Sequence, residues 1–394
     1  MAGLAFPAPP VWRTFIEDNR KDTKQHDLQK KLFYAITALC FIGSLIFVNY
    51  NASFYERPIA KVTKTTLEHQ SDVQDMHKNK DRIFNQRITA KLENGSRKGQ
   101  LIHLSNQYSS SGANDQKYSI GDEVFVSIDK GNTSNKDISG SIIDKKRDKQ
   151  LLLIAWIFIF TLLIVGKKQG FFSIISLIFN AVLLSFALDL YRKHQNIGLI
   201  FICGICILIF TVISLLLVSG FHAKTYAAIA ATLAGTFVSL LITYLVMTAA
   251  GEKGLRYEEM QYLTRPYHTV FMAGVFIGSL GAVMDVAITM TSSVFGLYEE
   301  NKSISLQALK RSGMEIGKDI MGAMTNILFF AYISGSIPMM LLYLKNDSPI
   351  GFTLSMNISL EIARALAGGI GIVLAIPASL YASIFFIKRK KASS

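Results

Sequence analysis

The chain of 394 residues is half hydrophobic and 18 % charged, with a mean hydropathy of +0.33. Soluble domains carry about 25 % charged residues, so this composition belongs to a membrane protein. The formal net charge of +13 does not imply nucleic acid, because the basic residues flank apolar runs, where they write membrane topology.

In chain order, residues 1–31 are polar and hold Arg13, Arg20, Lys21, Lys24, Lys30 and Lys31, which reads as a cytoplasmic tail. The apolar run 32–50 is too long for a signal-peptide core and predicts an uncleaved first transmembrane helix. Residues 51–149 predict an extracytoplasmic domain. Its polar lead-in, to about Lys80, is expected to be helical or irregular, and β-rich structure is expected from about residue 82. There Ile88, Ala90 and Leu92 alternate, as do Val124, Val126 and Ile128. Asn94-Gly95 is the dipeptide favoured in tight hairpins. A small barrel or sandwich of about five strands follows, with docking or spacing as its role. His69, His77 and His103 are scattered, so no metal or cofactor is expected.

Seven further apolar runs are long enough to span a bilayer: 150–166, 171–190, 197–219, 225–250, 268–296, 321–344 and 361–387. The expected fold is a polytopic α-helical membrane protein with about eight transmembrane helices. Its small β-rich extracytoplasmic domain lies between the first and second of them, and 150–387 form a seven-helix membrane domain. The basic tail 388–394, with Lys388-Arg389-Lys390-Lys391, shares the N-terminal side, so both termini are expected in the cytoplasm. Cys40, Cys203 and Cys206 all fall in predicted spans, where small packing residues are commoner than redox pairs.

Asp285 is the carboxylate inside the sixth run. A charge in hydrocarbon costs about 2.5–3.5 kcal/mol on insertion scales, so such a residue faces a cavity, a partner or a proton path. It is the candidate proton relay; packing against helix-end amides or a neighbouring Lys is the bland alternative. Gly274, Gly278 and Gly281 precede it, and the first two form a GxxxG pair for close helix packing. Thr289, four residues on, shares its face and is expected to hydrogen-bond the carboxylate. An amphipathic cytoplasmic helix is expected over about 303–320, with Ser303 as its cap and Gly313 and Gly317 as hinge points. The seventh span brings Gly322, for packing, and Asn326, either a partner of Asp285 or interhelical glue. A bend is expected before Pro338. Glu361 and Arg364, three apart on one face, predict an ion pair.

The run Arg311-Ser-Gly-Met-Glu-Ile-Gly317-Lys-Asp319-Ile-Met-Gly322-Ala-Met-Thr-Asn326 resembles the signature of the YibE/F-like family of bacterial multispanning membrane proteins. So do Gly281-Ala-Val-Met-Asp285-Val-Ala-Ile, Ala331-Tyr332, and Glu361-Ile-Ala-Arg364 before the Gly-rich stretch to Pro377. The resemblance covers about 150 to the end and implies a bacterial plasma-membrane location. Ala323 and Ile327 stand where the family more often has Thr. A weaker analogy is to the proton-driven RND, SecDF and MMPL exporters, which also place an acid in a Gly-rich span.

Two functions compete. One is a proton-coupled transporter or exporter subunit using a buried Asp285. The other is a non-catalytic scaffold whose extracytoplasmic domain binds an envelope-assembly partner. No HExxH or GxSxG motif and no paired catalytic carboxylates occur, so an enzyme is not expected. The expected partners are the lipid bilayer and a second copy or a second multispanning subunit.

Overall fold

The computed structural model describes residues 33, 35–112, 115–129, 138–194, 197–260 and 266–392. The expected tail 1–31 lies outside them. The chain divides into two units, Met1–Phe160 and Thr161–Ser394.

In the first unit, helix α1 (Ala35–Phe54) leads into strands β1 (Ile59–Gln74), β2 (Lys80–Leu92), β3 (Leu101–Ser109), β4 (Glu123–Ile128) and β5 (Ile138–Lys145). The strands close a barrel in the order β1-β2-β3-β5-β4. All neighbours are antiparallel except β3 and β5. Alternation explains the core: Ala60, Val62, Ile88, Ala90, Leu92, Ile102, Leu104, Val124 and Val126 all point inward and are buried.

The segment expected to be helical or irregular is instead the longest strand. β1 pairs with β2 along its whole length, from Ala60–Leu92 to Gln74–Lys80. Beyond Val62 no residue of β1 is buried. A stretch with no buried residue on either face has no reason to alternate, so it carries no strand period. Asn94-Gly95 also departs from expectation. It lies in an eight-residue β2–β3 loop rather than a two-residue turn, although Gly95 does take φ +78°. Asn94 is buried and ties the entry of the barrel together. Its side-chain oxygen accepts from Ile59 N–H at 2.6 Å, and its amide donates to the carbonyls of Ala52, Tyr55 and Arg57.

Below the barrel, Glu123 accepts from Lys146 Nζ and Lys149 Nζ, each at 2.7 Å. Burial pushes the Glu123 carboxyl up, but the two ammonium groups more than offset this and hold it below its ordinary 4.5. Nearby, the Asp148 carboxylate accepts from Tyr55 Oη at 2.6 Å and pushes that phenol up to about 12. Helix α2 (Asp148–Lys193) starts here. Its Trp156 donates to Ser44 Oγ of α1 at 2.8 Å and meets Phe41 edge-on.

In the second unit, α2 is broken at Lys167, where φ is +47° and ψ −121°. A Cβ on Gly170 would run into the Leu162 carbonyl. Eight residues of straight helix would hold the two about 12 Å apart, so the chain doubles back within this element. Helices α3 (Leu199–Ser219), α4 (Ala223–Ala249), α5 (Tyr267–Glu300), α6 (Leu306–Ser334), α7 (Ile337–Lys345) and α8 (Ile350–Ala392) follow. Among the described residues six helices, or seven spans counting α6 and α7 as one bent span, are long and apolar enough to cross a membrane. The expected amphipathic helix is not separate. It forms the first half of α6, capped by Ser305 rather than Ser303, with Gly313 and Gly317 packed instead of hinged. The expected bend is present: α6 and α7 meet at 49°, across Gly335-Ser336. The last helix begins eleven residues before its apolar run, at Ile350.

The bundle closes around Val283. A Cβ on Gly371 of α8 would lie 2.7 Å from Val283 Cγ2, and one on Gly235 of α4 would lie 3.1 Å from Val283 Cγ1. One side chain is therefore wedged between two glycines. Beside it, Ser239 Oγ of α4 donates to the Ala367 carbonyl of α8 at 2.6 Å. Free Cys203 and Cys206 are buried where α3 meets α5.

Asn94→Ala leaves the buried Ile59 N–H and the Tyr55 and Arg57 carbonyls unpaired, and should cost about 2–4 kcal/mol. The urea midpoint of the barrel in the full chain, read by β-strand infrared absorbance, measures it. The same midpoint tests Glu123. A lowered carboxyl stabilises fully above its unfolded value of 4.5 and loses that stabilisation as pH falls through the lower folded value. The wild-type midpoint should thus fall on acidification below pH 4.5 by more than that of Glu123→Gln.

Candidate functional site

Helix α5 owes its orientation to an apolar face that repeats at helical spacing. Phe271, Val275, Val283, Val286, Met290 and Val294 are buried. The opposite stripe, Gly274, Gly278, Gly281, Asp285 and Ser292, is exposed. Asp285 lies 18 residues into a 34-residue helix, roughly 27 Å from its start and near the middle of its apolar run.

The expectation of a buried Asp285 is therefore corrected: the carboxylate points away from its own bundle. It forms no hydrogen bond or ion pair among the described residues. Thr289 does not orient it, since its hydroxyl donates to the Asp285 main-chain carbonyl at 2.9 Å. Back-bonding to the i−4 carbonyl is the usual resort of a helical Thr with no better acceptor. Asn326 is exposed and hydrogen-bonds nothing described. It lies nine residues from buried Gly317, hence half a turn out of phase, on the face of α6 opposite its packing side.

The glycines divide differently from expectation. Gly274, Gly281 and Gly322 face open space, with nothing within 4 Å of a notional Cβ, so they pack against no described helix. Gly278 does serve close packing, because the Tyr332 hydroxyl of α6 rests on it. The other tight contacts come from Gly313 against Leu380 and Val294, Gly317 against Ile376 and Met290, and Gly368 against Leu328. These contacts run α5 and α6 antiparallel, with 278 beside 332, 290 beside 317 and 294 beside 313. That register sets Asp285 level with residues 322–325.

Glu361 and Arg364 form the expected ion pair, through Oε1 and Nη1. The guanidinium also stacks over the Phe271 ring at 5.3 Å, a cation–π contact that strengthens out of water. The pair lines a cavity of about 390 Å³ with Tyr332, Ser336 and Asn357. Tyr332 thus touches both the glycine stripe of α5 and this cavity. Its helical position gave no hint of that reach.

A second polar feature went unread in the sequence. Helix α4 buries Thr225, Thr232, Thr236, Ser239 and Thr243. The hydroxyls of Thr232 and Thr236, and of Ser379 and Ser383 on α8, hydrogen-bond nothing described. In apolar stretches Ser and Thr pass as small packing residues, and only the structure shows these four buried. No group of three metal-ligating side chains occurs among the described residues.

Gly371→Ala should force Val283 out of its slot and cost about 1–3 kcal/mol, while Gly281→Ala, with open space around it, should raise stability by about 0.5–1 kcal/mol. Thermal unfolding of the detergent-solubilised protein compares the two. Equal effects would contradict the wedge.

Comparison with known proteins agrees with this architecture in two places. The model described as YibE/F-like protein matches residues 154–389, the membrane helices. The model described as YibE/F family N-terminal domain matches residues 53–145, the barrel. No curated protein and no solved structure matches the chain. With both the barrel and the helices matched, the chain belongs to the YibE/F-like family.

Proposed function

We propose that this multi-pass membrane protein is a subunit of a proton-coupled transporter or exporter, in which Asp285 carries the proton. The observation behind this is a carboxylate at mid-helix, unpaired among the described residues, on a face where Gly274 and Gly281 are open. A charge bare to lipid is costly and a carboxylate in a protein-lined path is not. Open glycines beside it let another helix approach closely. The path is therefore completed by a second copy or a second multispanning subunit laid on the α5 stripe. Asp285 alternates between protonated and ionised states as that contact opens to each side.

Dividing α2 at Lys167 raises the count of seven spans to eight. In that topology both termini are cytoplasmic in a bacterial plasma membrane, and the barrel is extracytoplasmic. The scaffold reading draws on one observation of its own, the long stretch of β1 beyond Val62 in which no residue is buried. Such an open strand face suits an envelope partner.

Carbodiimide labelling of the protein in lipid, followed by mass spectrometry across pH, separates these readings. Proton carriage predicts modification of Asp285 that titrates with pH, and loss of proton-driven flux in Asp285→Asn. If Asp285 resists the reagent at every pH and Asp285→Asn behaves as wild type in cells, the scaffold reading stands instead.

A further inference from the structure

Where α1 meets the barrel there is a cavity of about 780 Å³, within the first unit and independent of the Asp285 reading. Four lysines line it, Lys61, Lys91, Lys98 and Lys149, against two carboxylates, Glu93 and Glu123. Both oxygens of Glu123 are already held, by Lys146 and Lys149. Lys61 is the Cα partner of Lys91 on β2 and of Glu123 on β4. Its one acidic neighbour across the strands is thus spent, and its other neighbour repeats its charge. Like charges directly opposite on adjacent strands destabilise a sheet. Lys61, Lys91 and Lys98 form no ion pair among the described residues. A sheet that keeps a bare Lys–Lys pair beside a third lysine, all facing one hollow, is arranged for an anion.

The other wall identifies the kind of anion. Asn49, Tyr50 and Ser53 of α1 line the cavity with Ile46. On the same helix face, one and two turns earlier, lie Ile42 and Leu39, exposed by 56 % and 73 %. An apolar track roughly 10 Å long therefore runs into a basic hollow. Tyr50 and Phe54 are 79 % and 75 % exposed at the helix end, where aromatic side chains mark the headgroup level. An acid-headed, hydrocarbon-tailed molecule matches both walls; a free anion uses only one.

We propose that this cavity binds the phosphate of an anionic phospholipid through Lys61, Lys91 and Lys98, with an acyl chain along Leu39, Ile42 and Ile46. The bound phosphate relieves the Lys61–Lys91 repulsion and fixes the barrel against its own leaflet.

Native mass spectrometry of the full-length protein in detergent tests this, titrated in turn with phosphatidylglycerol, phosphatidylethanolamine and inorganic phosphate. The expected result is retention of phosphatidylglycerol in preference to phosphatidylethanolamine. Lys61→Gln/Lys91→Gln/Lys98→Gln should weaken it roughly tenfold or more. Lys78→Gln/Lys117→Gln, equal in type but remote from the cavity, should not. Infrared β-strand absorbance confirms that the triple variant is folded. Binding of inorganic phosphate that is lost in the triple variant, without preference for the lipid, would overturn the lipid assignment. Equal lipid retention by wild type and triple variant would overturn the site itself.

Discussion

Val283, wedged between Gly235 and Gly371, is the contact on which the membrane unit turns. Without side chains on the two glycines, α4, α5 and α8 approach closely enough to bury Met290, Ile372 and Ala375 around the same point. The wedge also fixes the rotation of α5. A residue two places on is about 200° round the helix, so a buried Val283 obliges Asp285 to face outward. The open acid follows from packing that never touches it.

Packing gain and functional exposure are thus divided between two sets of glycines on the same helices. Gly313, Gly317, Gly368 and Gly371 are consumed by neighbouring side chains. Gly274, Gly281 and Gly322 meet nothing within 4 Å, and two of these share a stripe with Asp285. A glycine in a helix interior costs about 0.5–1 kcal/mol relative to Ala. At Gly274, Gly281 and Gly322 no close contact among the described residues offsets that cost. The stripe and the acid then make one surface rather than two features.

The barrel follows the same economy with polar groups. Asn94 satisfies one amide and three carbonyls where α1 turns into β1, so the chain enters the sheet without orphaned backbone. Glu123 takes the charge of Lys146 and Lys149 and leaves Lys61 without a counter-ion. Both the tightness of the entry and the surplus of positive charge beside it arise from the same few residues where α1 meets the barrel.

Long-range order decided what composition could not. Hydropathy alone marked the apolar spans, because a run of some twenty apolar residues is sufficient for a membrane helix. Alternation marked β2 and β4, and the three-residue spacing of Glu361 and Arg364 marked their ion pair. The motifs around Asp285, Asn326 and Glu361 were enough to indicate the family. The sequence could not show the part of β1 beyond Val62, which buries no residue on either face and so carries no period. It could not show which glycines pack, since an i to i+4 spacing is identical whether or not a neighbour arrives. Nor could it orient Asp285: helical spacing sets which residues share a face, and only the fit of Val283 between two other helices decides where that face points.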